Sequence, residues 1–181
     1  IRQLAYWRDR GIHLRVAVNV SARQLVDQSI FSDLKQALKA QHFSECPIDI
    51  ELTESCLIDN ADQALEVIQQ FRSLGAQIHL DDFGTGYSSL SQLARFPIDT
   101  IKLDHSFVHH VHKQSVSQSL ALAIIAVARA LNLRIIAEGV EDADDDAFLV
   151  QNGVDERQGY YFARPMPAAE LERWLEARQG L

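Results

Sequence analysis

Two adjacent aspartates, Asp81 and Asp82, stand where an apolar stretch meets a glycine-rich loop, in the sequence IHLDDFGTGYSSL (78–90). Asp and Gly are common turn residues and Ser caps helices, so the pair alone indicates only a turn. More acids follow other apolar stretches, and the full acidic set is Glu51, Glu54, Asp81, Asp82, Asp104, Glu138 and Glu141. Carboxylates that crowd together cannot all ionise unless cations neutralise them. The pattern therefore predicts a site for divalent metal ions, with Lys102 as the one clear cation among these positions.

The types of side chain indicate which ions and which reaction such a site would serve. Oxygen ligands with one amide, Asn19, suit Mg²⁺ or Mn²⁺, whereas zinc prefers nitrogen and sulfur. One of two neighbouring carboxylates can bridge two ions while the other holds the second, which is the geometry of two-metal phosphoester hydrolysis. Lysine and carboxylates at strand ends also suit enolate-forming enzymes with one Mg²⁺. The adjacent aspartates count against that alternative.

Strand-like and helix-like segments alternate along the chain and would position these side chains. The predicted strands are LRVAVNV (14–20), IDIELT (48–53), QIHLD (77–81), DTIKLD (99–104), LRIIAEG (133–139) and ERQGYYF (156–162). The predicted helices cover 1–11, 29–43, 60–75 with Asn60 as cap, 88–95, 115–131, a segment ending at Gly153, and 168–178. Such alternation predicts an α/β fold with a parallel sheet, either doubly wound or closed as a barrel.

Polar residues at the strand ends favour the barrel. Every predicted strand has a polar side chain at or near its C-terminal end, namely Asn19, Glu51, Asp81, Lys102, Glu138 and Gln158. A barrel brings all strand ends to one mouth, whereas an open sheet uses mainly its switch point. The prediction is a TIM-type (β/α) barrel that is incomplete in this chain, with about six of eight strands. VAVNV (16–20) is then expected at an open edge of the sheet.

Composition narrows the class of protein further. The chain has 181 residues, 47% of them hydrophobic, and a net charge of −8. This suits a single soluble domain over residues 1–181 and argues against a broad basic surface for DNA or RNA. No signal peptide or membrane-spanning stretch is evident. Cys46 and Cys56 lack ligand spacing and are interpreted as reduced thiols of a cytoplasmic protein, or of the cytoplasmic part of a membrane protein.

Several motifs resemble those of the EAL domains, the phosphodiesterases of the bacterial second messenger cyclic di-GMP. They are VAVNVSARQL (16–25), ELTES (51–55), DDFGTGYSSL (81–90), IKLDHSFV (101–108), AEGVE (137–141) and QGYYFARPMP (158–167). They occur in the family's order and cover most of the chain. The resemblance implies a TIM barrel with one antiparallel strand, and hydrolysis of cyclic di-GMP to linear pGpG with two Mg²⁺ or Mn²⁺ ions.

The same resemblance implies roles for individual residues. Asn19, Glu51 and Asp81 would bind one metal ion, and Asp81 would bridge to a second held by Asp82. Lys102 resembles the lysine that contacts the nucleophilic water. Glu138, Glu141 and Gln158 match catalytic positions that order water at the metals. Glu54 resembles the glutamate that braces the loop 81–90, which in this family links metal binding to dimerisation.

Part of the family pattern belongs to an earlier strand that this sequence does not include. That strand carries the glutamate of the name motif and an arginine that helps to hold the substrate. The chain is therefore expected to be the C-terminal part of a single EAL domain and to be inactive alone. The full protein is expected to be a homodimer with an N-terminal GGDEF or sensor domain. The alternative function is a non-catalytic cyclic di-GMP receptor or regulatory interaction module of the same family.

Other polar and aromatic residues are interpreted without a role in the reaction. The histidines of HSFVHHVHK (105–113) are expected to form a solvated segment, because no carboxylate framework for a metal stands beside them in the sequence. His79 alternates with Asp81 and is expected to point into the barrel as a satisfied core group. Tyr160, Tyr161 and Phe162 could stack on a guanine base, and core packing is at least as plausible.

Overall fold

Six parallel strands form one sheet whose spatial order is the order of the chain. The computed structural model describes residues 1–27, 29–58, 61–84 and 93–179. The strands are β1 (Val16–Asn19), β2 (Ile48–Thr53), β3 (Ile78–Phe83), β4 (Thr100–Leu103), β5 (Arg134–Ala137) and β6 (Glu156–Arg157). A doubly wound sheet reverses its strand order at a switch point, and these six strands never reverse theirs. The sheet is part of a TIM-type barrel, which confirms the predicted fold class.

Nine helices of the described residues lie between or beside the strands. They are α1 (Arg2–Arg8), α2 (Ala22–Val26), α3 (Ser29–Ala40), α4 (Glu54–Ile58), α5 (Ala61–Ser73), α6 (His105–Val108), α7 (Ser115–Ala130), α8 (Ala143–Gln151) and α9 (Ala168–Gln179). The longer helices follow the predicted segments closely. The predicted helix over 88–95 and the cap Asn60 fall mostly or wholly outside the described residues. Among the helices that are described, none is both long and apolar enough to span a bilayer.

Three short helices were not predicted, and local hydrogen bonds explain two of them. At the start of α2, the Ser21 hydroxyl accepts the Gln24 backbone N–H while the Gln24 side chain accepts the Ser21 backbone N–H, which is a capping box. At the start of α6, the Asp104 carboxylate accepts the Ser106 backbone N–H at 3.0 Å. Each segment has only four or five residues, too few for a helical hydrophobic period to show in the sequence.

The two faces of the sheet differ in chemistry because successive side chains of a strand point to opposite faces. One face packs against the helices and forms the apolar core; its buried side chains include Ile50, Leu52, Ile78, Leu80, Ile101, Leu103 and Ile135. Burying one such side chain contributes about 1.5–3 kcal/mol. The other face holds buried polar side chains, which are Asp49, Glu51, His79, Thr100 and Lys102. The core therefore holds the sheet together while the polar face remains available for chemistry.

Strand β1 lies at one edge of the sheet, as predicted for VAVNV. It pairs with β2 in parallel, with Asn19 opposite Glu51. All four of its residues are exposed, including Val16 at 36% and Val18 at 41%. Exposed β-branched side chains beside free backbone groups make an edge that favours pairing with another segment.

The prediction for the last strand was wrong in its extent. Strand β6 covers only Glu156 and Arg157, and the chain then turns instead of continuing to residue 162. At Gly159 the backbone passes so close to Val140 that a Cβ atom would lie 2.1 Å from the Val140 carbonyl oxygen. The turn leaves Tyr160 and Tyr161 at the surface, 56% and 46% exposed. Core packing of these two tyrosines is thus also corrected, whereas Phe162 does pack against the core.

Candidate active site

A single buried lysine lies at the centre of the polar face. Strand β4 carries Lys102, whose residue is only 3% exposed. Its Nζ atom lies 2.6 Å from Glu51 Oε1, 3.2 Å from Asp81 Oδ1 and 2.6 Å from Glu138 Oε1. The three carboxylates come from β2, from β3 and from the residue that follows β5. Parallel strands in regular order thus bring together side chains that are up to 87 positions apart in sequence.

The carboxylates keep Lys102 in its ammonium form. Burial by itself would lower the pKa of the lysine, but the hydrogen bonds from Nζ to Glu138 and Glu51 outweigh it and raise the pKa. A buried ammonium that is fully hydrogen-bonded is strongly held, and removal of its partners would be costly. Lys102 is therefore protonated at neutral pH and donates hydrogen bonds at the strand ends.

Glu138 has polar partners on two different segments of the chain. Besides Lys102, it accepts a hydrogen bond from Gln158 Nε2 at 2.6 Å. Burial raises the pKa of Glu138, and the charges of Asp81 and Glu51 act in the same direction while Lys102 opposes them. Glu138 is thus held in position by an amide and an ammonium and has an increased affinity for protons.

The adjacent aspartates occupy an irregular end of β3. The register of β3 against β4 shifts between Leu80 and Phe83, and Asp82 has a left-handed backbone with φ of 54°. For a residue other than glycine, this conformation costs on the order of 1 kcal/mol, and aspartate adopts it more readily than most residues. The Asp82 N–H donates to Asp81 Oδ1 at 3.0 Å. Burial, followed by the charges of Asp81 and Asp104, raises the pKa of the Asp82 carboxyl.

The charge balance of these groups fits divalent cations. Four carboxylates, Glu51, Asp81, Asp82 and Glu138, surround one ammonium, so full ionisation would leave a large local excess of negative charge. Burial raises the pKa values of Asp82 and Glu138, and the charges of neighbouring carboxylates act in the same direction. All of the donors are oxygens, and the amide of Asn19 lies on the neighbouring strand opposite Glu51. Such a donor set fits Mg²⁺ or Mn²⁺.

Three acids of the predicted set have other partners in this structure. Asp104 caps α6. Glu141, with a side chain 45% exposed, lies beside His105 and His109. Glu54 is buried at the start of α4, and residues 85–90 of the loop that it was expected to brace lie outside the described residues.

A cavity of about 740 Å³ extends the site beyond the strand ends. Glu138, Glu141 and Gln158 line it together with residues that the sequence did not single out as site residues, among them His105, Arg164 and Trp174. The Arg164 guanidinium lies over the Tyr160 ring, 4.6 Å from its centre. The sequence shows the cationic and aromatic residues of QGYYFARPMP, but the turn at Gly159 is what directs Tyr160 and Arg164 to this cavity.

Comparison with known proteins decides the family. A family model described as "EAL domain" matches residues 1–165. The chain belongs to the EAL domain family. This confirms the resemblance on which the predicted site rests.

Relatives of this EAL chain include named phosphodiesterases and solved EAL domains. It is 70% identical over 176 residues to the cyclic di-GMP phosphodiesterase PdeR of Escherichia coli (strain K12), covering 97% of this chain and 27% of PdeR. The solved PaMucR phosphodiesterase in complex with c-di-GMP is 37% identical, with a TM-score of 0.88 over 94% of this chain and 69% of that one. The EAL domain of Mycobacterium smegmatis DcpA is 30% identical, with a TM-score of 0.90 over 97% of this chain and 79% of that one. The chain thus spans about a quarter of the curated relative PdeR and most of the two solved chains.

Proposed function

We propose that this EAL chain forms the C-terminal part of a domain that hydrolyses one phosphodiester bond of cyclic di-GMP and releases linear pGpG. The observation that carries the proposal is the convergence of Glu51, Asp81 and Glu138 on the buried ammonium of Lys102. The names of the relatives, which include phosphodiesterases and a c-di-GMP complex, support the choice of substrate.

The metal ions would be held by the oxygen donors at the ends of β1 to β3. Asn19, Glu51 and Asp81 would bind one Mg²⁺ or Mn²⁺, and Asp81 and Asp82 would bind the second. When bound, two such ions neutralise the phosphate and lower the pKa of a water molecule. The excess of carboxylates over cations in this cluster is what the ions would compensate.

Lys102, Glu138 and Gln158 would position the attacking water, and Glu138 would accept its proton. Because its pKa is raised, Lys102 stays protonated and donates hydrogen bonds. Glu138 is the better proton acceptor, since its own pKa is raised toward neutrality. Gln158 keeps the Glu138 carboxylate oriented through the hydrogen bond of 2.6 Å. Glu141 lines the same cavity and would contribute to the water network from the other side.

The test is turnover of cyclic di-GMP by the full-length protein with Mg²⁺ or Mn²⁺, with products separated by chromatography. We expect linear pGpG, and we expect the variants Glu51→Gln and Glu138→Gln to reduce its formation at least a hundredfold. Binding of cyclic di-GMP should be measured on the same samples. Tight binding without any linear product would refute hydrolysis and favour the receptor alternative.

A further inference from the structure

Two histidines and a glutamate form a second cluster beside the cavity, which His105 and Glu141 help to line. His105 is the first residue of α6, and His109 directly follows its last residue. Residues four apart lie on one face of a helix, and the two imidazole rings are stacked with centres 5.1 Å apart. Glu141 reaches both rings, with Oε1 4.0 Å from His105 Nε2 and Oε2 3.4 Å from His109 Nδ1.

We propose that His105, His109 and Glu141 bind a nitrogen-preferring divalent ion such as Zn²⁺ or Ni²⁺. The three side chains each offer one ligand atom, and these atoms lie within 4.8 Å of one another. Tetrahedral zinc with bonds of about 2.0–2.1 Å places its ligand atoms about 3.3 Å apart. Side-chain rotations that move the atoms by roughly 1 Å would close this cluster around an ion. Two imidazoles with one carboxylate and an open position are a common zinc ligand set.

The nitrogen donors of this cluster distinguish it from the site at the strand ends, although Glu141 lines the same cavity as Glu138. The donors around Lys102 are oxygens and suit hard ions, whereas imidazole nitrogen shifts the preference toward Zn²⁺, Ni²⁺ and Cu²⁺. The proposal does not depend on hydrolysis of cyclic di-GMP.

The surroundings of His105 and His109 support a preformed metal site rather than a solvated segment. His109 Nδ1 is buried and makes no hydrogen bond of good geometry within the described residues. Its contact with Glu141 Oε2 at 3.4 Å is not a hydrogen bond of good geometry, and an ion bound between the two atoms would satisfy the nitrogen. The ring of His105 packs directly on the backbone of Gly139, where a Cβ atom would lie 2.2 Å from His105 Cδ2. Gly139 thus leaves the space that holds this ring beside the segment carrying Glu141.

The neighbouring His112, in the same segment, is held by a buried carboxylate, although its Nε2 makes no hydrogen bond within the described residues. Its Nδ1 lies 2.7 Å from Asp145 Oδ1, and the fully buried Asp145 also accepts the backbone N–H groups of His110 and His112. That network ties the segment to α8. The expectation that no carboxylates accompany these histidines is therefore wrong, because residues 141–145, which follow β5 in the chain, supply them.

The test is metal binding by the full-length protein after removal of metals with a chelator. Zn²⁺ would be titrated calorimetrically in excess Mg²⁺, which occupies the oxygen sites, and bound metal would be counted after dialysis. We expect one equivalent of Zn²⁺ that is lost or weakened at least tenfold in His105→Ala and in His109→Ala. Co²⁺ in place of Zn²⁺ should give a visible absorption band that both variants lack.

Two control variants make the outcome specific. The exposed His13→Ala should bind Zn²⁺ as the wild type does, because His13 lies outside the cluster. Asp81→Asn should keep the equivalent as well, since its carboxylate belongs to the other centre. Circular dichroism checks that each variant is folded. Equal Zn²⁺ binding by the wild type and both histidine variants, or loss of the ion in Asp81→Asn or His112→Ala instead, would overturn the proposal.

Discussion

Replacing Lys102 by methionine should make the stability of the intact EAL domain depend on divalent metal ions. Methionine keeps the length of the side chain and removes its charge, so Glu51, Asp81 and Glu138 lose the cation that all three contact. Removal of one partner from a buried ion pair costs about 3–5 kcal/mol. With three carboxylates left around one vacated position, we expect the upper part of that range in metal-free protein.

The loss should be large enough to measure and should be partly reversed by Mn²⁺. In a domain of 150–250 residues, 1 kcal/mol shifts the midpoint of thermal unfolding by about 2–4 °C, so a fall of roughly 10–20 °C is expected. Mn²⁺ at a hundred times its dissociation constant stabilises a folded protein by about 2.7 kcal/mol. The variant should gain at least this much, and more than the wild type gains, because the ions replace the missing charge.

The assay is thermal and urea unfolding of the wild type and the variant, each in chelator and in saturating Mn²⁺. The matched control is Lys113→Met, which removes the same charge from an exposed position and should change the free energy of unfolding by less than about 0.5 kcal/mol. The reasoning is refuted if Lys102→Met resembles the control, or if it loses the same stability with Mn²⁺ as without.

Four further predictions concern the same chain. Asp81→Asn should abolish turnover of cyclic di-GMP, whereas Asp82→Asn should recover part of it at higher Mn²⁺; equal and unrescued loss in steady-state assays would contradict this division. Because the pKa of Asp82 is raised, its carboxylate takes up a proton at a higher pH than an ordinary aspartate does. The affinity for Mn²⁺, measured by calorimetry, should therefore fall as the pH drops through that pKa. This pH-dependent loss of affinity should be missing in Asp82→Asn. Glu54→Ala should raise the Mn²⁺ concentration required for activity with little change in melting temperature; a collapse of the melting temperature would count against a bracing role. Finally, the exposed edge strand 16–19 should make the 181-residue chain poorly soluble and inactive when produced alone, and extending it at its N-terminus by the ~70 residues that two further βα units need should restore both; comparable rates with and without the extension would be inconsistent with this expectation.

The sequence predicted the sheet well because the strands depend on long, regular signals. Each predicted strand has a polar residue at or near its C-terminal end, and parallel packing in chain order brings several of these residues together around Lys102. The partners of Lys102 needed no knowledge of loops, since the register of neighbouring strands places them.

The parts that sequence reasoning missed depend on contacts between distant segments. The extent of β6 is limited by the backbone of Val140 at Gly159, and no local propensity records that contact. The carboxylates that approach the histidine segment belong to residues 141–145, at the start of α8 and just before it. Hydrogen bonds to Asp145 hold the two segments together, and a periodicity in either segment does not reveal that contact.

The order of the strands also determines how the molecule opens. Strands β2, β3, β4 and β5 have a hydrogen-bonded neighbour on each side, whereas β1 and β6 each have one among the described strands. Local opening events begin where backbone bonds and burial are fewest. Amide hydrogens of β1 and β6 should therefore exchange with deuterium first, and those around Leu80 and Ile101 last. The groups that hold Lys102 thus belong to the slowest-exchanging part of the sheet, and the charged centre persists through fluctuations that release both edges.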